Sequence, residues 1–193
     1  MKRLSRYLFL LLFTLQTPSW ADDIRDFQIE GMSVGDSALD YFSKNKINEG
    51  AQFIYNSRKF YSYTNWDSSK FDEFDYVQLH LKKNDQNFII YSITGYKKAN
   101  FYDCKKEQEE SKKIISKLFN EYSIRDYGER SDPSGKNLYV SKDIYFKLSS
   151  GDQVGIFCFD VNEKNAKEGQ YDSFSVAIDL KEFQDFLSNE AYK

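Results

Sequence analysis

The chain is poor in several residue types that common chemistries require. Its 193 residues include one histidine, two cysteines and two prolines. One histidine excludes a multi-histidine metal centre, and two cysteines exclude a four-cysteine zinc site. No metal site is expected. Any histidine-dependent triad must use His80. The Gly-x-Gly-x-x-Gly turn, the Walker A loop and His-Glu-x-x-His are absent, so the phosphate cradles and zinc-protease helix that they build are not expected, nor is a cofactor. The acidic stretch Asp72-Glu73-Phe74-Asp75 lacks the spacing and the turn glycine of a calcium loop and reads as an acidic strand edge.

Aromatic residues are abundant. Phe and Tyr number 17 and 15, and aromatics make up 18% of the chain. Phe, Tyr, Ile, Lys and Asn all have AT-rich codons, so base composition contributes to this excess. With 40% hydrophobic and 30% charged residues, the composition is that of a globular domain.

The N-terminus reads as an export signal. Lys2, Arg3 and Arg6 precede the apolar run Leu8–Leu15, and Ser19-Trp20-Ala21 places small residues at −3 and −1 of a cleavage point before Asp22. The run is far shorter than the roughly 20 residues of a spanning helix, so residues 1–21 are expected to be removed and 22–193 to form one domain. Loss of three cations takes the formal charge from −3 to −6. That charge lacks the basic stripe of a nucleic-acid binder. A periplasmic or secreted location is oxidising, and an even cysteine count there points to a Cys104–Cys158 disulfide.

Hydrophobic periodicity gives the elements. Ser33, with Asp36 three residues on, resembles a capping box opening a first helix that ends before Asn48-Glu49-Gly50. Phe53–Trp66 is rich in strand formers. In Phe74–Lys82 and Phe88–Tyr96 apolar residues alternate around the polar turn Lys83–Asn87, a hairpin pattern. Asp103–Ser123 has helical spacing of Ile114, Ile115, Leu118, Phe119 and Tyr122, with glutamates early and lysines late, as the helix dipole favours. Asp126–Asn137 reads as a polar loop, with a turn at Asp132-Pro133-Ser134-Gly135. Strands are expected at Leu138–Leu148, Val154–Val161 and Ser173–Ile178, with Asp179 capping a last helix. The class is α+β: an antiparallel sheet with helices on one face, in the order α-β-β-β-α-β-β-β-α.

Candidate functional residues are few. His80 lies mid-strand, opposite the Val77/Leu79/Leu81 face, with no local nucleophile or carboxylate to orient it. The aromatic segment around Phe60 is more informative, because alternation places Tyr61 and Tyr63 on one face and Phe60 and Trp66 on the other. Flat rings left exposed there can stack a sugar or pack against a partner, which makes Tyr61, Tyr63 and Trp66 the candidate ligand-binding residues.

The stretch Asp26-Phe27-Gln28-Ile29-Glu30-Gly31-Met32-Ser33-Val34-Gly35-Asp36-Ser37-Ala38-Leu39-Asp40-Tyr41-Phe42-Ser43 resembles a group of uncharacterised small secreted proteins of AT-rich marine bacteria. The resemblance implies export and transfers no site. Gly31-Met32-Ser33 and the segment after it also resemble the opening helix of BamE-like outer-membrane assembly proteins, although the lipid-attachment cysteine of that group is missing here. The leading expectation is a non-catalytic binding module for an envelope protein or a small ligand. The alternatives are a carboxylate-dependent hydrolase of envelope or exogenous polymer, and a BamE-like assembly accessory.

Overall fold

The computed structural model describes residues 23–132, 135–167 and 170–193. The expected leader and its cleavage point lie outside them, as do two residues of the expected 132–135 turn. The strands are β1 (Ala51–Gln52), β2 (Phe60–Asn65), β3 (Tyr76–Lys82), β4 (Ile90–Lys98), β5 (Tyr122–Ser131), β6 (Tyr139–Leu148), β7 (Gln153–Val161) and β8 (Ser173–Asp179). The helices are α1 (Lys44–Glu49), α2 (Phe101–Leu118), α3 (Glu163–Lys167) and α4 (Lys181–Asn189). All eight strands form one open antiparallel sheet in the order β1-β2-β3-β4-β8-β7-β6-β5. Two four-stranded meanders thus meet along β4 and β8. The class is α+β, and the chain order is α-β-β-β-β-α-β-β-β-α-β-α, not the simpler expected series.

The helices do not share one face of the sheet. Strand alternation sends Leu79, Ile93, Ile178 and Ile156 to one side, where they form a core with Cys104 and Ile115 of α2 and with Ile24, Met32 and Val34 of the N-terminal segment. The other side carries Phe60 and His80, which pack under Phe183 and Phe186 of α4. Burying each of those phenylalanines stabilises the fold by about 2–3 kcal/mol. A sheet apolar on both sides near its centre needs a cover on both, and that requirement places α2 and α4 on opposite faces.

Asn100 caps α2, its side chain accepting the Asp103 N–H at 3.0 Å. The helix stops at Leu118, short of the expected Ser123, because the chain turns there into β5. The disulfide joins Cys104 in its first turn to Cys158 on β7, with Cα atoms 5.8 Å apart. Gln108, one turn on, donates to the Lys142 and Ile156 carbonyls at 2.8 and 2.9 Å and clamps the helix to the sheet.

Three other expectations need correction. The segment after Ser33 is not a continuous helix. Asp36 does accept the Ser33 N–H, at 2.9 Å, but Gly35 and Ala38 donate to the Ile90 and Phe88 carbonyls, and that tether allows only a short 3-10 turn, Ala38–Asp40, before α1. The first half of the expected polar loop 126–137 is strand instead: residues 126–131 belong to β5, an edge strand whose largely exposed side chains carry no apolar alternation. Asp179 does not cap α4. It is the last residue of β8, and Asp152 from the β6–β7 turn accepts the Lys181 N–H instead, at 2.7 Å.

Candidate functional site

Tyr61, Tyr63 and Trp66 do not form one surface. Tyr61 and Tyr63 are 7% and 5% exposed and belong to the core on the α2 side of the sheet, with Phe53 and Phe42 as their ring neighbours. Trp66, directly after β2, is 64% exposed and on the opposite side of the sheet. There it heads a row of rings that strand pairing lines up. Tyr76 is the register partner of Tyr96, and Asn65 that of Val77, so Trp66, Tyr76 and Tyr96 fall in line across three chain segments. Trp66 lies 4.2 Å from Tyr76, and Tyr76 stacks on Tyr96 at 4.6 Å and 8°.

The row opens into a cleft of about 350 Å³ lined also by Tyr139, Phe159 and Tyr171. Tyr171 stands edge-on to Tyr76 at 6.4 Å, with the Lys98 ammonium over its outer face at 4.5 Å. Tyr139 meets Phe159 edge-on at 5.5 Å. Desolvation pushes the Tyr76 and Tyr171 hydroxyls above the ordinary tyrosine range, and Tyr96 up to about 12. All three remain protonated near neutral pH; the Tyr76 and Tyr171 hydroxyls bond each other, and that of Tyr96 bonds Thr94. Gln170 and Ser173 complete the polar complement. Among the described residues the cleft is a set of flat apolar faces fringed by neutral hydrogen-bonding groups, with no carboxylate in its lining. It can stack and orient a ligand.

His80 is not near the surface. It is 6% exposed, its ring stacked on Phe183 at 4.6 Å, and burial drives its pKa down to about 3. Among the described residues its Nδ1 has no hydrogen-bond partner. In register it faces Ser92, and Ser92 faces Asp179. This row holds the residue types of a hydrolytic triad in the wrong order. The serine separates the histidine from the carboxylate, so the carboxylate cannot orient the imidazole. Asp179 instead accepts from Ser92 and from Gln184 Nε2, the latter at 2.6 Å, and burial raises its pKa to about 6.

Two short nucleophile spacings also occur. Gly31-Met32-Ser33-Val34-Gly35 matches Gly-x-Ser-x-Gly, and Ser43-Lys44-Asn45-Lys46 matches Ser-x-x-Lys. Neither has the required setting. Ser33 is buried in a turn and donates to the Phe27 carbonyl, with no strand-to-helix elbow around it. Ser43 caps α1, accepting the Lys46 N–H.

The acidic stretch 72–75 is structural. The N–H groups of Asp72, Glu73 and Phe74 converge at 2.8–2.9 Å on the Glu30 carboxylate. Desolvation raises the Glu73 pKa, and its charged neighbours Lys97 and Glu107 lie on the α2 side of the sheet. Glu73 and Asp179, the two carboxyls among the described residues whose pKa values are raised, are thus on opposite faces and form no pair. Among the described residues no cluster of three or more His, Cys, Asp or Glu could hold a metal, and no helix is long and apolar enough to cross a membrane.

The chain matches no family model, no curated protein and no solved structure among those compared.

Proposed function

We propose that the chain is an exported, non-catalytic binding protein that holds a small ligand with flat faces, a sugar ring being the class best suited, on the Trp66–Tyr76–Tyr96 row. The observation that carries this reading is the 64% exposure of Trp66 at the head of a stacked row opening into a cleft. An indole held against a second ring gives up little conformational freedom on binding, and exposed apolar rings fringed by hydroxyls match the alternating C–H and O–H character of a sugar face. The disulfide supports an oxidising location. The cleft volume suits a small ligand better than the envelope-protein partner that was the other expectation.

Trp20 and Trp66 are the only tryptophans, so a chain starting at Asp22 reports on the cleft through a single indole. Titration with chitotetraose and cellotetraose is expected to change Trp66 emission saturably with at least one of them. Tyr76→Ala should weaken that binding about tenfold or more, as loss of a central aromatic anchor does, and isothermal titration should show the same for Trp66→Ala. Unchanged emission with a panel of neutral and amino-sugar oligosaccharides would exclude the sugar reading.

A further inference from the structure

A second cleft, of about 380 Å³, opens on the same face of the sheet between β5, β6 and α4. Its lining is strongly basic. Arg125, Arg130 and Lys147 rise from the two strands and Lys181 from the first turn of α4, against one lining carboxylate, Asp185. This is the reverse of the chain as a whole, whose formal charge is −3.

Two of the four cations are held in place. Arg130 pairs with the buried Asp143 and lies over the Tyr127 ring at 4.3 Å. Lys181 pairs with Asp185, and its stem lies on Gly151, where an added Cβ would sit 2.7 Å from it. The other two are uncompensated. Among the described residues neither Arg125 nor Lys147 makes an ion pair. Arg125 is the register partner of Tyr145, and Lys147 that of Ser123, so the two cations are diagonal neighbours on one face of adjacent strands. Like charges so placed repel, and an anion between them removes the repulsion. Gln153, Gln184 and Ser188 add neutral donors around the same space.

We propose that this cleft binds a tetrahedral oxyanion, sulfate or phosphate, with Arg125 and Lys147 as its direct ligands and Arg130 and Lys181 supplying the surrounding field. A guanidinium presents paired N–H donors that match two oxygens of such a group, and an ammonium adds a mobile point charge. The anion comes either free or as an ester on a larger molecule. The site stands on its own geometry and does not depend on the ligand of the aromatic cleft.

The test measures binding of four probes to the full exported chain: inorganic phosphate, inorganic sulfate, dextran sulfate and neutral dextran. Binding of at least one anionic probe that weakens with added sodium chloride is expected, with none for neutral dextran. Arg125→Gln/Lys147→Gln should lose about tenfold or more in affinity, since each removes a charge-assisted contact. Lys113→Gln/Lys117→Gln removes the same charge from exposed positions on α2, across the sheet, and should bind as the unaltered chain does. Binding of the inorganic ions identifies a free-anion site, and binding of dextran sulfate alone identifies an ester site. Failure of all three anionic probes overturns the proposal, as does equal loss in the two double variants. Trp66→Ala should leave oxyanion binding intact, so failure of the sugar reading and failure of this one are distinguishable.

Discussion

Removal of the Cys104–Cys158 bond, by reduction or by Cys104→Ala/Cys158→Ala, is expected to lower the unfolding free energy by about 4 kcal/mol. The bond closes a loop with a sequence separation of 54, and the chain-entropy model assigns about 4 kcal/mol to a loop of that length. The loop contains most of α2 and all of β5 and β6, so the reduced unfolded chain gains freedom over almost a third of its length. The bond also fixes the start of α2, a helix whose buried contacts from Cys104 to Ile115 seal the core on that side. Urea titration with and without reductant measures the difference. A change below about 1 kcal/mol would show that Gln108 and the apolar contacts hold the helix unaided.

Changing His80 and Asp179 one at a time should produce opposite pH responses. Both are buried in one row on the α4 side of the sheet. His80 has its pKa lowered to about 3 by burial, so the unfolded chain takes up a proton that the native chain refuses, and stability falls as pH drops below the unfolded value of 6.5. Asp179 has its pKa raised to about 6, so the native chain holds a proton that the unfolded chain releases. Its contribution is favourable at low pH and is lost as pH rises from about 4 through 6. Between pH 7.5 and 4.5 the histidine costs about 3 kcal/mol and the aspartate returns about 2, so they nearly cancel. His80→Phe should therefore become more stable on acidification relative to the unaltered chain, by about 3 kcal/mol, because only the aspartate response remains. Asp179→Asn should become less stable by about 2 kcal/mol on the same scale, its amide leaving the histidine unopposed. The surface carboxylates Asp23, Asp67, Glu109 and Asp126, whose pKa values are lowered in the native chain, are common to all variants and drop out of the comparison. Parallel pH profiles for the three proteins would mean that neither group changes its pKa between the unfolded and native states.

How legible these features were depended on how much one local pattern had to carry. The β3–β4 hairpin was readable because Val77, Leu79 and Leu81 alternate cleanly around a polar turn in which Asp85 accepts the Asn87 and Ile89 N–H groups. The disulfide followed from cysteine count and expected compartment. β5 was not readable, because an edge strand exposed on both faces has no apolar period to show. The Ser33/Asp36 pattern was real as a hydrogen bond and misleading as a helix start, since the contacts that stop the helix come from Phe88 and Ile90, some 50 residues away. Alternation correctly separated Tyr61 and Tyr63 from Trp66 but gave no sign of which side was filled, because helices cover both. The hairpin carries part of the site by itself, because pairing of β3 with β4 sets Tyr76 opposite Tyr96. Tyr139, Phe159 and Tyr171 reach the cleft only through the β4–β8 junction, for which no local signal exists.

That junction also governs the order in which the molecule becomes whole. β8 is the last of these eight strands to be synthesised, yet it occupies the middle of the sheet, and among the described residues its pairing with β4 joins the two meanders. Until Ser173–Asp179 is available, β4 and β7 each present an open edge, and such edges are templates for mispairing between chains. Closure is thus a single late zipper of long-range contacts, slow by nature. A chain interrupted before residue 173 is left as two sticky half-sheets, with neither the aromatic cleft nor the helix that walls the basic one, so both clefts come into being only once the C-terminal segment has docked.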